Sequence, residues 1–319
     1  MKLMFESRNA LVIGTEIATN GLESGGSLRV DTIRTIIEKA GFKVTVTSKS
    51  KAKNFLESDW DLIVVVSFSC SRLLSQARCK TSNLWFDPTD SWQLSRFSLL
   101  RAGQISQLPR LFRDLFWLSR SPNLDLLTFI SQRDALTEQN WWQKRINPLI
   151  LPVFELNRKV VQGDSSRLVF VGDGKYVANR RSLDFLGEVL RHLPQSFEIH
   201  LFGDSLKYSN PRFKSHGYVS KSELYRTRDI HLVPVKFGSG LKLKAAVPLW
   251  NGLPVVATAE GATGLSLGGS LYVGNTPKEF AKKILLAQES TDSFLLNPPR
   301  ETVFVDNDLA EITTWLQTI

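Results

Sequence analysis

The chain has 319 residues, enough for two domains of ordinary size that each bury a core. Apolar residues at 42% and charged residues at 22% exclude a disordered chain, and no run of 18 apolar residues is available to span a bilayer. The net charge of +9 is uneven: residues 1–160 hold 22 Lys and Arg against 15 Asp and Glu, and the remainder 18 against 16. A positive field over the first half fits an anionic partner, whether a phospholipid face, a lipid-pyrophosphate acceptor or nucleic acid.

The opening MKLMFESRNALVIG mixes acids and bases ahead of a short apolar run, unlike a signal peptide, so a cytoplasmic location is expected. Residues 10–14, 42–47 and 62–67 read as strands, and their alternation with helix-like segments predicts βαβ units and a parallel sheet. Between the first two strands, Gly25 and Gly26 make a turn ahead of a helix carrying Leu28, Ile33, Ile36 and Ile37. Residues 83–90, NLWFDPTD, predict a fourth strand with Asp87 and Asp90 at its carboxyl end, where ligands gather in open α/β sheets. Helix capping is the alternative role for an Asp beside Pro, Thr and Ser.

Residues 92–120 predict a surface helix pair. Arg96, Arg101, Arg110, Arg113 and Arg120 face a single acid, Asp114, and interleave with Phe97, Phe112, Phe116, Trp117 and several leucines. That composition suits a membrane interface, with the arginines reaching anionic head groups, and equally a core helix with solvated arginines. Aromatic and Arg interleaving also suits nucleic acid. Residues 126–131 and 148–153 read as the fifth and sixth strands. The polar stretch 155–167 lacks apolar periodicity and reads as a linker, giving domains 1–155 and 156–319.

In the second half, LVFVGDGKYVANRRSLDFL (168–186) predicts a strand, a glycine turn and a helix. Residues 197–203, 216–219 and 229–235 predict three more strands. The most informative stretch is GSGLKLKAAVPLWNGLPVVATAEGATGL, residues 238–265. Gly238 and Gly240 permit positive φ and close approach to a ligand, and Ser239 adds a hydroxyl. The helix that follows presents free N–H groups and a positive dipole end to a phosphate, beside the charges of Lys242 and Lys244. Pro248 should kink this helix and Gly252 close it, ahead of a buried strand at 253–258 and a second turn at Glu260, Gly261 and Gly264. Residues 309–319 predict a terminal helix.

No metal site is expected. Cys70 and Cys79 lack ligand spacing and read as ordinary thiols, and the four histidines are scattered. The triplets Asp59 to Asp61 and Asp306 to Asp308 read as incidental, the first preceding its strand and the second capping the terminal helix.

The run 238–265, with 168–186 and the strand order between them, resembles the donor domain of two-domain nucleotide-sugar glycosyltransferases of the GT-B class, close to family 4 and to bacterial exopolysaccharide transferases. The resemblance implies an α/β fold of two Rossmann-like domains facing a cleft, with a C-terminal helix, about 308–319, crossing back to the first domain. It implies a hexosyltransferase that needs neither metal nor cofactor beyond its nucleotide-diphosphate sugar. Gly172, Asp173, Gly238, Ser239, Gly240, Leu241, Lys242, Lys244, Val247, Glu260, Gly261 and Thr263 fall on its donor site, and Gly25 and Gly26 on its acceptor-side loop. Asp90, with Asp87 second, stands where a catalytic base is expected. Arg96, Arg101, Arg110, Arg113, Phe116 and Trp117 are the expected membrane or acceptor surface. One position departs from the family pattern: Val247 stands where a Glu usually holds the ribose, so ribose anchoring must come from elsewhere or donor binding is weak. The expected acceptor is a lipid-linked or surface glycan intermediate of polysaccharide biosynthesis, with peripheral attachment to the inner membrane face. The alternatives are a nucleic-acid-modifying glycosyltransferase and a non-catalytic GT-B binding protein.

Overall fold

The computed structural model describes residues 8–19, 25–101, 103, 105–142, 146–153, 159–204, 208–219, 221–266, 269–294 and 308–319. The chain divides into two compact units, Met1–Glu155 with Asp306–Ile319, and Leu156–Val305.

In chain order the first unit holds β1 (Asn9–Gly14), α1 (Glu16–Thr19), α2 (Gly25–Lys39), β2 (Lys43–Ser48), α3 (Ala52–Phe55), β3 (Leu62–Val66), α4 (Leu74–Arg78) and β4 (Leu84–Thr89). It continues through α5 (Trp92–Arg101), α6 (Leu108–Ser119), β5 (Leu126–Phe129), α7 (Gln132–Trp142) and β6 (Leu149–Ile150). Its six strands pair in parallel in the order β2-β1-β3-β4-β5-β6. The apolar runs of β1 and β3 are buried along nearly their whole length, as strands covered on both faces must be. The sheet order reverses between β1 and β3, the place where open α/β sheets leave a crevice at their carboxyl ends.

The second unit holds β7 (Leu168–Val171), α8 (Val177–Leu190), β8 (Ile199–Phe202), β9 (Phe213–Gly217), α9 (Lys221–Leu224), β10 (Ile230–Val233), α10 (Leu243–Trp250), β11 (Val255–Ala257), β12 (Leu271–Val273) and α11 (Pro277–Phe294). The parallel order is β12-β11-β10-β7-β8-β9, with its reversal between β7 and β10. The strand expected at 216–219 lies earlier, at Phe213–Gly217. Its FKSHG sequence buries only Phe213 because β9 is an edge strand, so apolar periodicity misplaces it. Pro248 lies inside α10, which ends two residues later. There Gly252 takes φ 76° and Leu253 N bonds back to Pro248 O at 2.9 Å.

The last helix, α12 (Leu309–Thr318), belongs to the first unit. Ile312 and Leu316 are fully buried against Ile33, Leu62 and Val64, and Trp315 meets Trp85 edge-on at 6.3 Å. Asp308 ties the helix to β6: its N–H donates to Ile150 O at 2.7 Å, and its carboxylate accepts from Ile150 N at 2.6 Å. The expectation that Asp308 serves as a side-chain cap is therefore corrected, since its carboxylate is spent on the sheet. In the other triplet, Asp61 accepts from Asn9 N and Asp59 pairs with Lys80 at 3.4 Å.

Candidate donor site and acceptor-side turns

The carboxyl ends of β7, β10 and β11 are neighbours at the reversal of the second sheet, and the glycine-bearing turns follow them. Gly238 and Gly240 have φ of 148° and 70°, the left-handed region that a Cβ disfavours. This lets the chain curl so that Lys242 Nζ reaches back to Ser239 O at 3.0 Å and Gly240 O at 2.9 Å. The same ammonium stands 3.4 Å from Glu260 Oε1, so one lysine joins the turn after β10 to the turn after β11. Lys244 donates to Asn179 Oδ1 at 2.8 Å, and Asn179 Nδ2 donates to Asp173 O at 2.8 Å, which joins the turn after β7 to the same group. Lys244 keeps part of its surface open yet sits deep in the unit. Burial, followed by repulsion from Lys242, pushes its amine down to about 7.

The other expected donor residues divide. Asp173 is exposed, its Oδ1 accepting from Lys175 N at 2.8 Å, and Thr263 is half-buried. Leu241 is buried. Gly261 donates to Thr258 Oγ1 at 3.1 Å and packs so closely that a Cβ there would lie 2.3 Å from Val233 O. Val247, placed on the donor site by the resemblance, is buried in α10, as are Ala245, Ala246 and Leu249. Asn179, in the first turn of α8, is the residue that links Gly172 and Asp173 to Lys244.

In the first unit Asp87 is also corrected. It is fully buried and ion-paired with Arg29, whose Nε donates to Oδ1 at 3.0 Å while Nη2 contacts Oδ2. Thr128 Oγ1 donates to Oδ2 and Thr89 Oγ1 to Oδ1 at 3.3 Å. Arg29 also donates to the carbonyls of Leu151 and Pro152. With both oxygens occupied and no surface, Asp87 cannot meet an acceptor; it holds Arg29, one turn into α2, which begins at Gly25 and Gly26. Asp90 is half-buried in the turn after β4. Two features that sequence did not show surround it. Ser67 and Thr89, at the ends of adjacent β3 and β4, take φ of 79° and 73°, strained values for residues with side chains. Behind the turn, Asp134 accepts from Ser91 N at 2.8 Å, while Glu138 accepts from Ser91 Oγ at 2.7 Å and Gln93 N at 3.1 Å. Burial pushes the Glu138 carboxyl up to about 7 despite these bonds.

The helices α5 and α6 are tied by Asp114, which is buried and pairs with Arg96 and Arg113 at 3.0 Å each. Arg96 is thereby largely withdrawn from the surface. Arg101 is exposed, and Arg113 remains about half exposed. Leu108, Phe112 and Phe116 recur every four residues along α6 and are exposed, with Ile105 beside them; Phe112 shows 67% of its surface. The Arg120 guanidinium lies 4.0 Å from the Phe116 ring centre. The side chains of Arg110 and Trp117 lie outside the described residues. Among the described residues no helix is long and apolar enough to cross a membrane. Nor do three His, Cys, Asp or Glu side chains there gather in a metal-ligating group.

Residues 165–289 match the family described as Glycosyl transferases group 1. No curated protein matches the chain. Among solved structures, Anabaena Alr3699/HepE in complex with UDP and glucose superposes with TM-score 0.66 at 14% identity, over 98% of each chain. The lipopolysaccharide outer core galactosyltransferase WaaB, in its apo form, gives 0.57 at 11% identity, over 98% of this chain and 99% of that one. The DNA-modifying enzyme β-glucosyltransferase gives 0.54 at 10% identity, over 98% and 96%. With two parallel six-stranded sheets, these likenesses define the fold as that of GT-B glycosyltransferases. The match to group 1 glycosyl transferases falls, more narrowly, within the second unit, on the segment that holds the lysine-bearing turns.

Proposed function

We propose that the protein transfers a sugar from a nucleotide-diphosphate sugar, held by the turns of the second unit, to a lipid-linked or surface glycan acceptor at an anionic membrane face. The observation that carries the reading is the convergence of Lys242, Lys244 and the Gly238–Gly240 turn at the sheet reversal of a group 1 glycosyl transferase domain. Charge grows on the β-phosphate as the glycosidic bond breaks, and two amines and the loop amides placed there stabilise it without a metal. Asp90, on the first unit, is the base that takes the acceptor hydroxyl's proton. The UDP in the similarly folded Anabaena structure supports a nucleotide as the ligand class. The test is the melting temperature with and without a panel of nucleoside diphosphates, which rises only for a ligand that binds the folded state. No rise with any nucleotide removes the donor site.

The acceptor side rests on α6. A stripe of Leu108, Phe112 and Phe116 flanked by Arg101, Arg113 and Arg120 matches an anionic bilayer surface, apolar rings entering the interface and guanidinium groups meeting head groups. Sedimentation with vesicles of anionic lipid should show binding that weakens with salt, and Phe112→Ser with Phe116→Ser should abolish it. A second reading, modification of DNA, draws on the same arginines and on the fold shared with the DNA-modifying β-glucosyltransferase. Indifference to anionic vesicles with tight, salt-sensitive DNA binding would favour it.

A further inference from the structure

Lys244 has unusual neighbours for an ammonium. Its Nζ donates to one neutral oxygen, Asn179 Oδ1 at 2.8 Å, and stands 4.8 Å from the centre of the Phe170 ring. The acids within its surroundings are committed elsewhere. Glu260 goes to Lys242, on the same helix start. Asp173, on the turn after β7, directs its carboxylate to Lys175 N, and Asp204 pairs with Lys175 Nζ at 2.8 Å. The other cations are equally placed: Arg180 on α8 donates to the carbonyls of Gly174 and Lys175, and Lys236, after β10, lies over Phe185 at 4.5 Å. Among the described residues Lys244 has no carboxylate partner.

Asn179 holds this arrangement. It is buried, and Gly172 packs against it so closely that a Cβ at Gly172 would lie 2.6 Å from Nδ2. Its Nδ2 is spent on Asp173 O, which leaves Oδ1 to face the lysine. An amide oxygen satisfies the hydrogen bond without balancing the charge. Desolvation then favours the neutral amine, and the adjacent Lys242 acts in the same direction.

We propose that Asn179 is a positioning residue that parks Lys244 without a counter-ion, and that a nucleoside diphosphate arriving at these turns supplies the counter-ion and brings a proton onto Lys244. The inference rests on reading the turns as the donor site. The step is an acid–base one: the amine lone pair takes a proton from solvent, an N–H bond forms, and the resulting ammonium faces the diphosphate. Donor binding is then linked to pH. Below about pH 6 the amine is already charged and binding takes up nothing there; from about pH 7 upward each unit costs up to about tenfold in affinity until the liganded value is passed.

The test uses UDP as the probe and calorimetry at pH 8 in buffers of unlike ionisation enthalpy, where the phosphates of UDP are themselves fully ionised. The wild type should take up close to one proton per UDP bound. Lys244→Met should take up none, and Asn179→Asp, whose carboxylate charges Lys244 beforehand, close to none. A lysine side-chain NMR titration of the UDP-free protein should move from a midpoint near 7 toward the ordinary lysine range in Asn179→Asp. UDP binding to wild type without proton uptake overturns the proposal and leaves the donor site standing, whether or not the variants fold. Uptake by Asn179→Asp equal to wild type removes the role of Asn179. Failure of UDP and every other nucleoside diphosphate to bind overturns the donor site and the proposal together.

Discussion

The two units finish the same parallel sheet in opposite ways. At the reversal of the second sheet the charge is local, with two glycines and two lysines within 238–244 shaping the turn, and only Asn179 and Glu260 are brought in from elsewhere. At the corresponding end of the first unit it is assembled from distant segments. Arg29 meets Asp87 across 58 positions and the Leu151 carbonyl across 122, and Ser91 meets Glu138 across 47. The first arrangement gathers two lysines, one beside Glu260 and one on the amide oxygen of Asn179; the second buries an ion pair to hold backbone in place. A buried carboxylate can therefore mark a scaffold as readily as a reaction centre.

That contrast can be broken first at its scaffold. Arg29→Met leaves Asp87 buried without its partner, a change that costs about 3–5 kcal/mol. Urea unfolding should show this loss in the first unit, and a loss below about 1 kcal/mol would mean that the clamp is dispensable. Next in size is the ligand side. Lys242→Ala with Lys244→Ala should weaken nucleoside diphosphate binding by about 2–4 kcal/mol, taking roughly 1.5–3 for each charge-assisted contact with non-additivity. Titration calorimetry on the folded double variant checks it. Asp90→Asn should lower transfer by about 10²-fold with nucleotide affinity unchanged, as loss of a general base does. A wild-type rate in Asp90→Asn, measured with saturating acceptor, would leave the first unit without a reacting carboxylate.

The last effect is graded by pH. Glu138 holds its proton to about 7 in the folded protein against 4.5 for an exposed glutamate. Its contribution is therefore full below the lower value and is lost as pH rises to the upper one, by up to about 1.4 kcal/mol per unit. Glu138→Gln should flatten that part of the stability profile. An identical slope in wild type and variant would place the titration elsewhere.

Much of this was legible in the chain. The β-branched, unbroken runs of β1, β3 and β11 are buried on both faces, so apolar continuity found them. The glycine-bearing turn at 238–244 was readable because glycine, hydroxyl and lysine stand within a few residues and each answers to a local demand of backbone or charge. Asp87 misled because a carboxylate at a strand end looks alike whether it faces solvent or an arginine from another helix. Nothing near position 87 announces Arg29. Val247 showed its departure in sequence, whereas its burial is set by how α10 packs. The edge strand β9 and the strained Ser67 and Thr89 are set by pairing and packing, which no local pattern encodes.

The return of α12 to the first unit also orders events on the ribosome. The second unit is one uninterrupted segment and can close its core as soon as it emerges. The first unit, though made earlier, lacks Ile312, Leu316 and the Trp315 ring over Trp85 until α12 has been synthesised. Each buried aliphatic side chain withheld is worth about 1.5–3 kcal/mol, a large share of a domain's net stability. The nascent first unit thus waits, with Trp85 partly uncovered, through the synthesis of the whole second unit, and that interval is when a chaperone has the most to cover.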